Sequence, residues 1–489
     1  MKNFAINEFR FAVKEYLNSV RILELRSYGR FIGVQNPTEK KKGELLDDIL
    51  SILIGEAYPV EPSKRGAPVK NDFVDPNIID KIEELKKTYL PDGIREEESF
   101  FTFEPKEKSM LVVNDPNGTS LENLKNKEIY SGQIATVDGV SRLVPLNGEL
   151  DYRKIVVSVE LIRKNDLREG DIVTCYADSR PPCLYATEIL SRNGYASDSR
   201  PRKKFDETAV AYPSDKLRFI LETDDSIASK YFEWLLPIGK GRRGLLLSPP
   251  KAGKTFLLKR LVESAQTANP NLTVYALLLD QAPETVGEFR KILPADHILY
   301  TTYEDLAEKH IFTADFLLNR AKRQAEDEKD VLIVVDSLTA LMRAYNETDL
   351  SSGGKTYACG LESKTLHYIK KYLGSARNFE KGGSLTILGA VSVQTGNPAD
   401  DFAAAELLSV ANLRISLSGE LAAKRIFPSF DFLSSNTEQP ERLLSDAERE
   451  CEYLLRNGYF QKKSFVDFLL LLKACQNAEE LREKMKKEL

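Results

Sequence analysis

Histidine and cysteine are scarce in this 489-residue chain, three and five residues, and neither is clustered. Cys175, Cys183, Cys359, Cys451 and Cys475 form no C-x-x-C pair, and His297, His310 and His367 stand apart from them. Neither a zinc site nor a disulfide framework fits that spacing; buried reduced thiols do. Long apolar runs are missing too. Nothing reaches the ~18 residues of a membrane span, and Met1-Lys-Asn-Phe-Ala opens no secretory signal. The chain is expected to be soluble and cytoplasmic, with no membrane partner. An excess of one charge sign is also lacking. Lys and Arg total 69 against 74 Asp and Glu, a formal net charge of −5, so a nucleic-acid site has to be a local patch.

What the chain does contain is length for about two to four domains and one stretch with the grammar of a phosphate-binding loop. Gly244-Leu-Leu-Leu-Ser-Pro-Pro-Lys-Ala-Gly-Lys-Thr255 runs from a buried-strand pattern into Phe256-Leu-Leu-Lys-Arg-Leu261, a helix pattern. Backbone N–H groups at such a helix start face an anion, the lysine neutralises it, and the hydroxyl holds Mg²⁺. Ser248 replaces the first glycine of the strict pattern. The plainer alternative is an ordinary strand-to-helix turn.

Around this loop the chain changes character several times. Residues 4–25 place Ile6, Phe9, Val13, Tyr16, Leu17 and Val20 at helical spacing. Thr38 fits an N-cap for a helix reaching about residue 54, with Lys41 and Lys42 in its first turn. Two helices joined by a basic, Gly-containing turn suggest a SAP-like nucleic-acid module over residues 1–58; a solvated helical hairpin fits equally. Residues 59–128 lack hydrophobic periodicity except for a helical pattern at 78–90, and read as an insertion or linker. Five short strand patterns with Gly-Asp turns over 129–190 predict a small barrel of OB or cold-shock type. Arg192, Arg200, Arg202, Lys203 and Lys204 make 191–216 a basic, mobile tether.

From residue 217 to 489 strand and helix patterns alternate, which predicts a mostly parallel sheet with helices on both faces, an α/β class. Strands are expected at 244–247, 274–279, 298–301, 331–335, 385–391 and 413–417. The tail puts Phe465, Phe468, Leu469 and Leu472 on one helical face, so two or three helices are expected against the core.

Six segments occur in an order that resembles the Rho family of transcription termination factors, hexameric RNA-dependent ATPases with a RecA-like P-loop core. They are Pro249-Pro-Lys-Ala-Gly-Lys-Thr255, Asp336-Ser-Leu-Thr, Arg343-Ala-Tyr-Asn346, Gly374-Ser-Ala-Arg-Asn378, Gly382-Gly-Ser-Leu-Thr386 and Lys424-Arg-Ile-Phe-Pro428. The resemblance implies ATP and Mg²⁺ as cofactors, single-stranded nascent RNA as ligand, a homo-hexameric ring, and contact with RNA polymerase or with an active Rho. It assigns nucleotide binding to Pro250, Lys251, Ala252, Gly253, Lys254, Thr255 and Phe256. Lys254 would meet the β- and γ-phosphates, Thr255 and Asp336 the Mg²⁺ (the latter through water), and Phe427 the adenine. Lys355 and the pair Thr395-Gly396 match the family's RNA-gripping pore loops, and Arg142 lies on the RNA face of the barrel.

The departures from the family fall where chemistry occurs. The family's Asp-Glu-Arg-Pro, whose glutamate polarises water, is here Asp280-Gln281-Ala282-Pro283, and a glutamine cannot accept the proton. Ser-Ile-Thr-Arg is Ser337-Leu-Thr-Ala340. The inter-subunit arginine finger, which follows Ser-Gly-Thr, is Glu438 after Ser435-Asn-Thr. Such a finger is worth about 10³–10⁵ in rate. The barrel's stacking aromatics, Gly-Phe-Gly-Phe-Leu-Arg, become Gly139-Val-Ser-Arg-Leu-Val144, and the second pore loop carries Pro398 in place of a lysine. ATP binding with weakened or lost hydrolysis is therefore expected. Two alternatives stay open: an active terminator using Glu284 as base with Arg442 or Arg425 as finger, and a non-enzymatic subunit that modulates a true Rho.

Overall fold

The computed structural model describes residues 13–14, 16–17, 20–32, 34, 40–53, 78, 81–82, 128–148, 155–180, 183–196, 203–219, 227–350 and 355–489. The expected linker at 59–128 and its helix at 78–90 lie almost wholly outside these residues, as do Thr38, Arg200 and Arg202. The chain divides into two compact units, Met1–Gly118 and Thr119–Leu489.

In the first unit, α1 (Ile22–Phe31) and α2 (Lys42–Leu53) bury Leu25, Tyr28, Leu45, Leu46 and Ile49 together with Val13 and Leu17. The periodicity carried one helix through residue 25. Instead Val20 N–H bonds Leu17 O in a turn, and Glu24 accepts from Arg21 N–H at 3.3 Å, starting a new helix at Ile22. Capping from within the first turn outweighs the continuing apolar spacing.

The second unit opens with β1 (Glu128–Val137), β2 (Val140–Val144), β3 (Ile155–Val156), α3 (Val159–Lys164), β4 (Ile172–Arg180), β5 (Cys183–Arg192) and β6 (Tyr195–Ala196). Their order is β3-β2-β1-β4-β5-β6, and a parallel pairing of β3 with β5 closes the sheet into a barrel. Ile134, Leu143, Val173, Cys175 and Ile189 fill it. Five strands were expected; the sixth is a short arm added after the turn at Asn193-Gly194. Burial pushes the Cys175 thiol up to about 11, as an inert reduced thiol requires.

Next come β7 (Val210–Ala211), α4 (Ile227–Trp234), β8 (Arg243–Ser248), α5 (Lys254–Ala268), β9 (Leu272–Leu278), α6 (Pro283–Arg290), β10 (Ile298–Tyr300), α7 (Ala307–Glu326) and β11 (Asp330–Asp336). After them run α8 (Leu338–Leu350), α9 (Ser363–Gly374), β12 (Arg377–Phe379), β13 (Ser384–Ser392), α10 (Pro398–Leu408), β14 (Leu413–Ser416), α11 (Gly419–Ala423) and β15 (Asn436–Thr437). The sheet order is β10-β9-β11-β13-β8-β14-β15. Strands β8 to β11, β13 and β14 pair in parallel, while β15 is an antiparallel edge. All six expected strands are present. Both faces are covered by helices, so the strands read as continuous apolar runs such as Val331 to Val335. The tail forms α12 (Asp446–Leu454), α13 (Phe465–Ala474) and α14 (Ala478–Glu488), with Phe468 and Leu472 in the cluster of Phe232, Phe430 and Phe432.

The barrel is joined to this core by polar side chains that leave no slack. Gln133 of β1 donates to Phe316 O at 2.7 Å and accepts from Arg320 Nε at 2.7 Å. Arg320 is 1% exposed, and its other nitrogens reach Asp296 O and Leu146 O. Gly170 packs so closely on α7 that a Cβ would lie 2.2 Å from Asn319 O. The described residues of the expected tether are held rather than loose. Phe205 is buried edge-on against Phe379 at 5.2 Å with Arg377 over its ring, so the described end of that segment is anchored.

Candidate nucleotide site

The loop after β8 leaves the middle of the sheet, where β8 lies between β13 and β14. Lys251 (φ 61°) and Gly253 (φ 89°) turn it through the left-handed region. Gly253 is the N-cap of α5 and supplies no side-chain acceptor, so the first-turn N–H groups remain available to an anion. A Cβ at Gly253 would stand 3.2 Å from Phe427, and Ser429 Oγ donates to Ala252 O at 2.8 Å. These contacts hold the phosphate loop against the segment that carries the aromatic.

Asp336 ends β11 fully buried. Lys254 Nζ lies 2.6 Å from its Oδ1, and Thr255 Oγ1 donates to its Oδ2 at 2.7 Å. The loop thus brings an ammonium, a hydroxyl and a carboxylate to one point. Beside Lys254, Thr255, Pro250 and Lys251 lies a cavity of about 360 Å³. A second, of about 440 Å³, adjoins it between Phe256 and Phe427, with Arg260 and Leu417 among its walls. Both aromatics are exposed, at 61% and 49%. An uncapped helix start, a lysine, a metal-compatible hydroxyl–carboxylate pair and an open aromatic slot fit a Mg²⁺-nucleotide.

The positions expected to drive hydrolysis are near this site but differently engaged. Gln281 follows β9, and its Nε2 donates to Leu279 O at 3.2 Å and Asp336 O at 3.3 Å. Its amide is spent on backbone. Glu284, the substitute base considered from the sequence, is exposed in the first turn of α6. Glu438 follows β15, its N–H donating to Asn412 O at 3.0 Å and its carbonyl accepting from Arg242, while its side chain is exposed. Arg442 stacks over Tyr212 at 5.0 Å, and Arg425 is exposed two residues before Phe427. Arg414 and Arg456 belong to no motif, yet they share a cavity of about 600 Å³ with Glu438. They reach it from β14 and from the turn after α12, a proximity that only the topology creates.

Comparison with known proteins bears on this arrangement directly. The nucleotide-binding domain of the ATP synthase alpha/beta family matches residues 229–437. Transcription termination factor Rho of Streptomyces coelicolor is 37% identical over 361 residues, which span 73% of this chain and 86% of that protein. The Bacillus subtilis Rho is 32% identical over 364 residues, 73% of this chain and 84% of that one. The chain belongs to the Rho family. A solved ATPase from a type III secretion system aligns over 64% of this chain and 94% of its own, at 20% identity and a TM-score of 0.47.

The positions that the Rho resemblance assigns to RNA line neither of the two cavities at the phosphate loop. Lys355 is exposed just beyond residues 351–354, which lie outside the described residues. Thr395 donates to Asp400 Oδ2 at 2.7 Å, and Arg343 pairs with the same oxygen at 2.7 Å. Gly396 (φ 81°) completes the turn and Pro398 begins α10, where its missing N–H costs nothing. Asp400 therefore fixes this Rho-type loop, and the Arg343 motif was its sequence signal. Arg142 is only 16% exposed, 3.9 Å from Asp138. Among the described residues no helix is long and apolar enough to cross a membrane, and no His, Cys, Asp and Glu cluster could hold a metal.

Proposed function

We propose that this Rho-family chain is an ATP-binding subunit of a hexameric, RNA-associated ring in transcription termination, one that holds ATP with Mg²⁺ but turns it over slowly or not at all. The observation that carries this reading is the contrast at the site. Lys254 and Thr255 converge on the carboxylate of Asp336, whereas Gln281 is tied to two carbonyls and position 438 bears a negative side chain. Lys254 and the α5 N–H groups would bind the phosphates, Thr255 and Asp336 would hold the Mg²⁺, and Phe427 with Phe256 would flank the base. The metal supplies charge neutralisation at the phosphates when bound. Asp336 is engaged by Lys254 and Thr255, and Gln281 occupies the place of a second carboxylate, so no uncommitted carboxylate of this set is left to accept a proton from water. RNA would meet the ring at Lys355, Thr395 and Gly396. With no aromatic platform at 139–144, ~1–3 kcal/mol per stacked base is forgone on the barrel.

A second reading, slow but real hydrolysis, is favoured by Arg414, which brings a positive side chain beside Glu438; Arg456 in the same cavity is already paired with Glu452 at 3.0 Å. Steady-state ATP turnover with and without RNA decides between them, with Lys254→Ala as reference. We expect wild type to bind ATP at least about 100-fold more tightly than Lys254→Ala, which loses a buried charge partner, while both show the same background turnover. RNA-stimulated turnover in wild type alone would establish the second reading, and absence of ATP binding would overturn both.

A further inference from the structure

A cavity of about 620 Å³ lies away from the phosphate loop and shares no lining residue with it. It lies where β1 of the barrel meets α7, α8 and α9 of the ATPase core. Its volume is that of a small-molecule site, and four kinds of wall bound it. The first is aromatic: Tyr345 and Tyr368 are stacked at 5.0 Å and 27°, and Phe312 and Phe316 at 5.6 Å and 29°. The second is cationic. Lys322 and Lys371 make no hydrogen bond or ion pair among the described residues, and Lys322 Nζ rests over the ring of Phe205 at 5.6 Å. Burial, with the charge of Lys371 adding to it against Asp206, holds Lys322 below the usual lysine value.

The third wall is acidic. Asp315 and Glu169 face the same space; Tyr345 Oη lies 3.4 Å from both Asp315 oxygens, and burial pushes that carboxyl up. The fourth is a single phenol. Tyr372 is 2% exposed, lines the cavity, and its hydroxyl has no hydrogen-bond partner. A buried hydroxyl without a partner is costly unless a ligand supplies one.

A planar base would fill the space beside the stacked tyrosines, a phosphate would draw the Lys322 and Lys371 ammonium groups, which otherwise face Asp315 with no hydrogen bond among the described residues, and ribose or exocyclic N–H and O–H donors would meet the carboxylates. We propose that this cavity binds a nucleoside monophosphate, either free or as one residue of a single strand. The site is separate from the phosphate loop, so its occupancy does not depend on whether that loop hydrolyses ATP. Because its walls come from both the barrel and the helix that follows Asp336, a ligand there would bridge the two.

The test uses the full-length chain with its phosphate loop filled by ADP and Mg²⁺. AMP, UMP and a short oligouridylate are titrated by calorimetry against wild type, Lys371→Gln and Tyr372→Phe. We expect saturable binding that Lys371→Gln weakens at least about tenfold and Tyr372→Phe about fivefold, in line with loss of one charged and one neutral hydrogen bond. ADP affinity stays unchanged in both variants. Tyr372→Phe should leave the ligand-free melting temperature equal or higher, since it removes a hydroxyl that bonds nothing; a merely structural tyrosine would show no ligand effect. Binding of the monophosphates assigns a free nucleotide, and Lys371-dependent binding of the oligonucleotide alone assigns a strand residue. No binding by any of the three at millimolar concentration, or binding indifferent to Lys371→Gln, overturns the proposal.

Discussion

The two sides of the central strand β8 are equipped differently. Toward β11, the side chains of the nucleotide-holding group are engaged with one another: Asp336 takes Lys254 on one oxygen and Thr255 on the other, and the loop is pinned through Ser429. Toward β15, the backbone is equally well held, by Asn412 and Arg242, yet the side chain it presents is the acid Glu438. The backbone is held on both sides, but the side chains presented differ: an ammonium, a hydroxyl and a carboxylate on one, a lone acid on the other. Under the proposed function, gripping a nucleotide and cleaving it would be separable here, because the two groups of side chains come from different strands.

The sharpest way to break that comparison is to install the family's residues at 281, 282 and 438. In an assembled ring, Gln281→Glu with Ala282→Arg and Glu438→Arg should raise steady-state ATP turnover by at least about 10³-fold, the scale associated with an arginine finger. The backbone at 438 is already fixed, so the new guanidinium needs no rebuilding of β15. The new carboxylate at 281 cannot donate to Leu279 O and Asp336 O, and that repulsion turns it out toward the cleft. A triple variant that assembles and still shows background turnover would mean that the scaffold has changed as well as the side chains.

How much of this was legible beforehand follows from where each signal is stored. The parallel strands could be read because both their faces are buried, leaving apolar runs such as Val331 to Val335 between polar ends. The phosphate loop was legible because its function needs glycine, lysine and threonine in consecutive positions. The union of barrel and core was not, since it rests on Gln133 and Arg320, 187 residues apart, neither conspicuous in its own segment. Arg414 and Arg456 were hidden for the same reason: pairing of β14 with β15 and the path of the chain after α12 bring them to Glu438. Phe205 was lost in a basic stretch whose charge pattern suggested solvent, although a single aromatic was enough to anchor it.

A smaller effect sharpens the holding side. Phe427→Ala removes an aromatic that is 49% exposed in the slot next to Gly253, so the change opens no core cavity. If this ring stacks on the base, ATP affinity should fall about tenfold, within the ~1–3 kcal/mol of a base–aromatic contact. Titration with a fluorescent ATP analogue would read it, with the melting temperature unchanged. Unaltered affinity would place the base elsewhere, along Phe256 and Arg260.

The smallest expected effect tests the idle side. Gln281→Ala deletes an amide whose two donors go to backbone carbonyls, and one of these, Asp336 O, also accepts from Leu279 N–H at 2.8 Å. The loss should therefore cost about 1 kcal/mol in urea unfolding. ATP affinity should stay within about twofold, the range of a side chain outside the contact set. A tenfold fall in affinity instead would place the Gln281 amide on the nucleotide or on water bound to it. Gln281 would then belong with Lys254 and Thr255, and the line between holding and cleaving would have to be drawn at Glu438 alone.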